Sequence, residues 1–227
     1  MVSKVLLCER KGTICRELMS CRRMEVVELA SRIIKEGGLV VYPTDTLYGL
    51  GADALNAEAV GKVFEAKERP ANAPISVAVS DIEMMNRVAK LNPWVARAVE
   101  ALIPRPITFI LPKRKRMPVT LTGGRDVIGA RIPNHMFALT LLAMTGPITT
   151  TSANLHEGHD PRTVRSALRQ LGDAVDLYVD CGRTVFGRGS TVLDLTGGTP
   201  ESARVVRRGA ADPAIIMKVL SGMDTAR

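Results

Sequence analysis

The alternation of helical and strand patterns along the chain constrains its fold most strongly. Apolar residues recur every three to four positions in some segments and form short runs in others, with glycine or proline between them. The predicted helices are 24–36, 58–67, 82–88 with Asp81 as its cap, 93–102, 137–144, 163–171 and 214–220. The predicted strands are 39–41, 75–79, 108–111, 127–132, 148–151, 177–180, 191–195 and 203–207. This order, without a repeat or a linker, predicts a single α/β domain, and a glycine turn between the last two strands makes part of its sheet antiparallel.

A group of small polar residues follows the first predicted strand. Pro43 ends that strand because it has no backbone N–H for the ladder, and Thr44, Asp45 and Thr46 follow directly. We expect residues 42–51 to form a polar loop at the carboxyl end of a strand, where open α/β sheets bind small ligands. The same polar residues could instead cap a helix or close a turn.

The charge balance favours anionic partners. The 227 residues include 31 Lys and Arg against 23 Asp and Glu, a formal net charge of +8. Such an excess attracts nucleotides, phosphates and RNA, although a basic chain need not bind RNA. No apolar stretch approaches the roughly 18 to 20 residues that span a bilayer, and the amino terminus has no long apolar segment. We therefore expect a cytoplasmic protein without a membrane anchor.

Metal-ligand patterns are absent from the sequence. Cysteines stand at positions 8, 15, 21 and 181, without a C-x-x-C pair or a zinc-like spacing, and are predicted to be thiols. His156 and His159 lie on a predicted loop with a glycine between them, which differs from the helical H-E-x-x-H motif. We predict a structural or surface role for these histidines and no metal site.

Donors for anions are concentrated at the ends of predicted elements, with little acid–base equipment beside them. Arg131, at a strand end, needs a carboxylate or phosphate partner, whereas Lys67 and Arg69 could simply complement a helix C-terminus. Neither a P-loop nor a G-x-G-x-x-G fingerprint is present, and no histidine neighbours a reactive serine or cysteine in sequence. The pattern favours positioning and charge stabilisation, as in phosphoryl or nucleotidyl transfer. These donors are Lys67 with Arg69, Arg131, Ser152 with Asn154, and the loop 187–191.

Six short motifs occur in a fixed order along the chain: Y-P-T-D-T-L-Y-G-L-G, K-E-R-P, G-A-R-I-P, T-S-A-N, G-S-T-V-L-D and R-R-G. The series resembles the YrdC/Sua5 family of threonylcarbamoyl-AMP synthases, over about residues 24–210. The resemblance implies a YrdC-like twisted mixed sheet flanked by helices, with a concave basic binding surface. Since the chain ends soon after R-R-G, it resembles the short form of the family. We expect an N-terminal extension or edge strand at 1–22, a YrdC-like domain at 23–212 and a C-terminal helix and tail at 213–227.

The resemblance also implies a reaction. L-Threonine, bicarbonate and ATP would give L-threonylcarbamoyladenylate and pyrophosphate, with Mg2+ accompanying the ATP. A downstream transfer complex would use the adenylate for t6A37 modification of tRNAs that read ANN codons. Direct binding of tRNA or double-stranded RNA is a further candidate property.

Site residues follow from the resemblance, motif by motif. Lys67 and Arg69 would be catalytic and would hold the triphosphate. Arg131 would bind the threonine carboxylate, and Thr44 is an alternate for Thr46. No protein ligand for a metal is implied. The ATP site would comprise Lys67, Arg69, Ser152, Asn154 and Arg207, and the threonine site Thr46, Arg131, Thr150 and Ser190.

Departures from the family pattern leave other functions open. Ala73 and Ala78 stand where relatives carry Asn and His, and Asp160 stands where a serine often faces ATP. The alternatives are an RNA-binding module of the same fold, a reassigned activity such as that of the YciO branch, and a carbamoyltransferase like the related domain of hydrogenase maturation proteins.

Overall fold

The computed structural model describes residues 13–16, 22–70 and 72–223, with side chains from residue 24 onward. Its helices are α1 (Arg22–Lys35), α2 (Ala57–Ala66), α3 (Ile82–Val88), α4 (Pro93–Leu102), α5 (Val119–Thr122), α6 (Met136–Thr145), α7 (Val164–Leu171) and α8 (Pro213–Gly222). Its strands are β1 (Thr13–Arg16), β2 (Val40–Tyr42), β3 (Gly49–Gly51), β4 (Val77–Ala78), β5 (Ile107–Pro112), β6 (Val127–Arg131), β7 (Ile148–Thr149), β8 (Thr151–Ser152), β9 (Leu177–Asp180), β10 (Thr191–Asp194) and β11 (Arg204–Arg207).

The strands form two mixed sheets. The first sheet has the order β1-β9-β2-β3-β8, and the second has the order β11-β10-β5-β6-β4-β7. Each sheet contains parallel pairs (β1 with β9 and β9 with β2 in the first, β10 with β5 and β4 with β6 in the second) as well as antiparallel ones, including the predicted β10–β11 hairpin. The mixed α/β fold is therefore confirmed, although its strands are divided between two sheets.

Thr150 marks the division between the sheets. The sequence predicted one strand over 148–151, but β7 pairs with β4 in the second sheet while β8 pairs with β3 in the first. The Thr150 N–H lies between the two strands and donates to the Ser76 carbonyl at 2.7 Å. A hydrophobic run cannot reveal such a change of partner, because both halves satisfy their backbone groups in a ladder.

Two apolar clusters hold the layers together. The larger cluster joins residues of both sheets to α2, α3, α4, α7 and α8, with Phe109 and Tyr178 among its bulkiest members. The smaller cluster packs α1 and α6 on the first sheet around Tyr42 and Phe137. Ala78 belongs to this smaller cluster. Burial of these apolar surfaces is the main source of stability.

Helix starts follow the predicted capping chemistry. Asp81 accepts from the Met84 N–H at the start of α3, and Asn92 accepts from the Val95 N–H directly before Pro93. A side-chain acceptor at the N-cap satisfies one of the backbone N–H groups that a helix leaves unpaired. These two helices have the predicted bounds because cap and proline residues mark their starts in the sequence.

The polar loop after β2 is shorter than expected. Residues 43–48 form it, but Gly49–Gly51 is strand β3, which pairs antiparallel with β2. A Cβ atom at Gly49 or Gly51 would lie 3.1 or 3.0 Å from the Tyr42 ring. The glycines thus let the ring lie against the neighbouring strand, and their low strand propensity concealed β3 from the sequence reading.

Some of the sequence predictions concern terminal residues, of which the structure describes only a part. Thr13–Arg16 forms an edge strand parallel to β9, whereas residues 1–12, 17–21 and 224–227 lie outside the described part, as do the side chains of the cysteines at 8, 15 and 21. The proposed domain boundaries stay a prediction. Within the described residues, every helix is too short or too polar to cross a membrane.

Candidate active site

A cavity of about 460 Å3 opens where strand ends from both sheets meet. The loop after β2, the ends of β5 and β6, the β7–β8 junction and the segments flanking β10 and β11 contribute to its lining. Carboxyl ends of strands and their loops are the usual location of ligand sites in α/β proteins. The cavity is therefore the candidate active site.

A buried ion pair fixes Arg131 on this lining. Arg131 and Asp45 are only 5% and 3% exposed, and the Arg131 Nη2 lies 2.6 Å from the Asp45 Oδ1. Arg131 Nη1 donates to the Thr46 hydroxyl at 2.7 Å. The second Asp45 oxygen and the Arg131 Nε have no hydrogen-bond partner among the described residues. A guanidinium has five N–H donors, so Arg131 keeps donors for an anionic ligand.

Paired hydroxyls supply a second group of polar contacts. The Thr108 and Ser190 hydroxyls lie 2.7 Å apart, and both residues line the cavity. The Thr44 hydroxyl donates to the Leu47 carbonyl at 2.6 Å and lies 3.0 Å from the Thr46 hydroxyl. Hydroxyls donate and accept, which suits them to a ligand that carries both an ammonium and a hydroxyl group.

Lys67 lies behind the cavity lining. It is 2% exposed, and its ammonium donates to the Ser152 carbonyl at 2.5 Å and to the Asn154 carbonyl. Burial, with a contribution from the charge of Arg69, lowers the pKa of Lys67 to about 7. Its described contacts brace the backbone of the β8 segment, so its contact with a triphosphate stays a prediction.

Asn154 supports the same segment. Its side-chain N–H groups donate to the Leu155 carbonyl at 2.8 Å and to the Gly158 carbonyl at 2.9 Å, so they close the loop that follows β8. The Asn154 Oδ1 is buried without a described partner. Asn154, like Lys67, does not line the cavity, whereas its motif neighbour Ser152 does.

Four arginines give the cavity its positive charge. Arg69, Arg188, Arg207 and Arg208 line it, and within the described residues none of them forms a salt bridge. Arg69 is held by the Ala73 and Pro74 carbonyls, at 3.2 and 3.0 Å. Unneutralised guanidinium groups around one cavity form a site for phosphate or carboxylate groups.

Asp160 is the one carboxylate among the described lining residues. Burial and the charge of Arg131 lower the pKa of Arg207, and the charge of Asp160 opposes them. Arg207 also donates to the Ser190 carbonyl at 3.0 Å.

Gly209 explains the glycine of the R-R-G motif. A Cβ atom there would lie 2.2 Å from the Ser190 carbonyl carbon and 2.4 Å from the Thr191 nitrogen. The Gly209 N–H donates to the Thr191 hydroxyl at 3.0 Å. Only glycine lets the segment after β11 lie this close to the start of β10, which brings Arg207, Arg208 and Ser190 to the same cavity.

Most of the predicted site residues come together in the structure. The residues that sequence reasoning missed as site candidates, or discussed only as departures, are Thr108, Arg208 and Asp160. Thr108 interrupts an otherwise apolar strand, which is the one signal that could have identified it. Ala78 packs in the smaller apolar cluster and does not line the cavity. The predicted residues on the lining are Thr46, Arg69, Arg131, Thr150, Ser152, Ser190 and Arg207.

Comparisons with known proteins identify relatives of this chain. A family model described as Sua5_yciO_yrdC, "Telomere recombination", matches residues 32–209. Threonylcarbamoyl-AMP synthase of Pyrococcus abyssi is 35% identical over 214 residues, which cover 88% of this chain and 62% of that protein. A putative threonylcarbamoyl-AMP synthase of Mycobacterium tuberculosis is 36% identical over 194 residues, covering 85% of this chain and 88% of that protein.

A solved structure shares the fold. The crystal structure of Pyrococcus abyssi Sua5 complexed with L-threonine matches with a TM-score of 0.83 and 34% sequence identity, covering 91% of this chain and 59% of that one. The chain thus spans about three fifths of the length of the Pyrococcus protein. Since the family model covers well over half of the 227 residues, the chain belongs to the Sua5/YciO/YrdC family.

Proposed function

We propose that the protein is an L-threonylcarbamoyladenylate synthase. The observation that carries the proposal is a single cavity that combines the buried Arg131–Thr46 contact with four unneutralised arginines. One cavity can thus receive an amino acid carboxylate and a triphosphate together. The Pyrococcus relative, which is named for this activity, supports the assignment.

The amino acid would be held through Arg131. The remaining N–H donors of Arg131 would bind the carboxylate of threonine. The hydroxyls of Thr46 and Ser190 and the Thr150 backbone would contact the amine and the side-chain hydroxyl of threonine. The Asp45 carboxylate keeps the guanidinium in place without occupying all of its donors. Fixed donors of this kind lower the entropic cost of aligning two reactants.

The arginine side of the cavity would hold ATP. The threonine amine reacts with bicarbonate to give a carbamate and water, and a carbamate oxygen then attacks the α-phosphorus. A P–O bond forms, the bond to the β-phosphate oxygen breaks, and pyrophosphate leaves. Two anions must approach each other, so the guanidinium groups of Arg69 and Arg207 would contribute mainly by offsetting their repulsion.

Mg2+ fits this cavity as an ion carried by ATP. Among the described residues no group of three or more His, Cys, Asp or Glu side chains could hold a metal ion. Mg2+ usually keeps several waters and binds through substrate phosphates with one or two carboxylates, so it does not need an all-protein cage. When bound, the ion neutralises charge that develops on the phosphate oxygens.

The product would leave for tRNA modification. A threonylcarbamoyladenylate is an activated acyl donor, and we propose that a separate transfer complex places its acyl group on tRNA for t6A37 modification. Direct contact with tRNA would use the exposed arginines beside the cavity, such as Arg188 and Arg208.

The test is a turnover assay with purified protein. ATP, bicarbonate and labelled threonine are expected to give threonine-dependent pyrophosphate and an adenylate that carries the label. Absence of both products with threonine, while another amino acid or carbamoyl phosphate supports turnover, would assign the cavity a different substrate. Tight, salt-sensitive RNA binding without ATP turnover would instead indicate an RNA-binding module.

A further inference from the structure

A carboxylate in an arginine-lined cavity needs an explanation, since it repels the phosphates that the arginines attract. Asp160 lies on the lining with Arg69, Arg188, Arg207 and Arg208. Its side chain is exposed, and among the described residues it forms no salt bridge with any of them. Its carboxylate oxygens therefore remain available to a ligand.

The backbone on both sides of Asp160 is fixed. The carbonyl of His159 accepts from the Gln170 side chain at 3.0 Å, and the carbonyl of Pro161 accepts from the Tyr48 N–H at 2.9 Å. The Asp160 carbonyl itself accepts from the Arg162 N–H at 3.0 Å. Three consecutive carbonyls are thus held, which fixes the backbone from which the Asp160 side chain extends.

We propose that Asp160 is the protein's own ligand for the divalent cation that accompanies the nucleotide. The inference rests on the proposed function, because the other ligands would be phosphate oxygens and water. One or two carboxylates are the usual protein contribution to a Mg2+ ion that arrives on a nucleotide, and Asp160 is the carboxylate among the described lining residues. Without the ion, the Asp160 carboxylate would repel the phosphates, whereas a cation held by Asp160 would attract them.

The cation would also define which end of the cavity takes the phosphates. Asp160 lies close enough to Arg207 for its charge to act on that guanidinium. A cation on Asp160 would then bring the phosphates to the part of the cavity near Arg207, whose guanidinium donates to the Ser190 carbonyl. This arrangement makes nucleotide binding depend on the metal in a way that arginines alone would not.

The experiment measures the metal directly. Mn2+ is titrated into the complex of the protein with α,β-methylene-ATP, and free Mn2+ is followed by electron paramagnetic resonance. This analogue cannot transfer its adenylyl group, because a methylene group replaces the oxygen between the α- and β-phosphorus atoms. Asp160→Asn is expected to weaken Mn2+ binding in this complex by at least about tenfold. The same variant should bind the metal-free nucleotide at least as tightly as the wild type, because a repulsive charge has been removed.

Glu157→Gln is the matched control. Glu157 is an exposed carboxylate on the same loop that does not line the cavity, so this variant should bind Mn2+ as the wild type does. Equal Mn2+ affinity in the wild type and Asp160→Asn would overturn the inference, as would an equal loss in Glu157→Gln. If the wild type binds no nucleotide with or without metal, the proposed function fails, and the inference fails with it. If the wild type binds the metal-free nucleotide but Asp160→Asn leaves its Mn2+ affinity unchanged, only the inference fails.

Discussion

The ammonium of Lys67 lies 2.5 Å from the carbonyl oxygen of Ser152, and the same ammonium also reaches the carbonyl of Asn154. One buried side chain thereby fixes the backbone on which two predicted ATP ligands are mounted. Lys67 therefore has a structural role, while its contact with phosphate stays a prediction.

Replacement of Lys67 by methionine is expected to reduce stability as well as activity. The substitution leaves the buried Asn154 carbonyl without the Lys67 donor, and such an unsatisfied group costs about 1–3 kcal/mol; the Ser152 carbonyl keeps the Asn154 N–H as a donor. Urea denaturation should show a lower free energy of unfolding, and the KM for ATP should rise because Ser152 loses its support. Wild-type stability in this variant would contradict the bracing role.

Lys67 also makes stability depend on pH. Burial lowers its pKa from an ordinary value of 10.5 to about 7 in the folded protein. Between these values the unfolded chain binds one more proton than the folded protein, so the free energy of unfolding should rise as pH increases from 7 towards 10. Urea denaturation over this range should show a shallower rise in Lys67→Met than in the wild type, and identical slopes would refute the assignment.

Replacement of Arg69 by alanine should separate activity from folding. The side chain of Arg69 is half-buried, and among the described residues it bonds only to the Ala73 and Pro74 carbonyls and the His156 ring, so its loss should change stability by less than about 1 kcal/mol. Pyrophosphate release should fall by at least about a hundredfold, because a phosphate-facing charge is lost. Arg87→Ala is the control, since Arg87 forms an exposed pair with Glu83 and does not line the cavity; equal activity in the two variants would remove Arg69 from the site.

Replacement of Arg131 by methionine should destabilise the protein strongly. It leaves the Asp45 carboxylate buried without its partner, which costs about 3–5 kcal/mol. Adding Asp45→Asn should restore part of the lost stability, because a neutral amide replaces the orphaned charge. Threonine binding, measured by calorimetry, should be absent from the double variant even though it is the more stable of the two. Retained binding there would exclude Arg131 as the carboxylate ligand.

Two glycine-to-alanine replacements should have opposite effects. Gly209→Ala places a methyl group 2.2 Å from the Ser190 carbonyl carbon, so β10 or the R-R-G segment must shift, and both stability and turnover should fall. Gly61, in α2, has no heavy atom of the described residues within 4 Å of its Cβ position, and Gly61→Ala should raise stability by up to about 1 kcal/mol. Thermal unfolding checks both, and a stable, active Gly209→Ala would show that the close approach is not required.

The helix and strand bounds were predicted correctly where residues at the ends of the element mark them, as capping residues and proline do. Asp81 and the Asn92-Pro93 pair mark helix starts because a cap side chain acts on N–H groups within three residues. β3 was not predicted because glycines at positions 49 and 51 weaken the strand pattern, and only the Tyr42 ring, in another strand, explains them.

A site residue was predictable where its place in an element determines which surface its side chain reaches. Arg131 ends a strand and lies on the cavity as expected. Lys67 was harder to predict, because a long flexible side chain can bond either to a ligand or to backbone carbonyls, and that choice depends on residues 85 and 87 positions away. Thr108 contacts Ser190, which lies 82 positions away along the chain. The one sign of this contact in the sequence is a polar residue in an otherwise apolar strand.

Thr150 is a lining residue, and it is also the peptide unit through which the chain passes from one sheet to the other. A ligand that contacts Thr150 therefore binds at the peptide unit that joins the two sheets. Local opening of either sheet near this point must move part of the binding site, so the energy of ligand binding opposes opening on both sides. Amide hydrogen exchange in β4 and β3, which border the junction from opposite sheets, should slow together when the cavity fills.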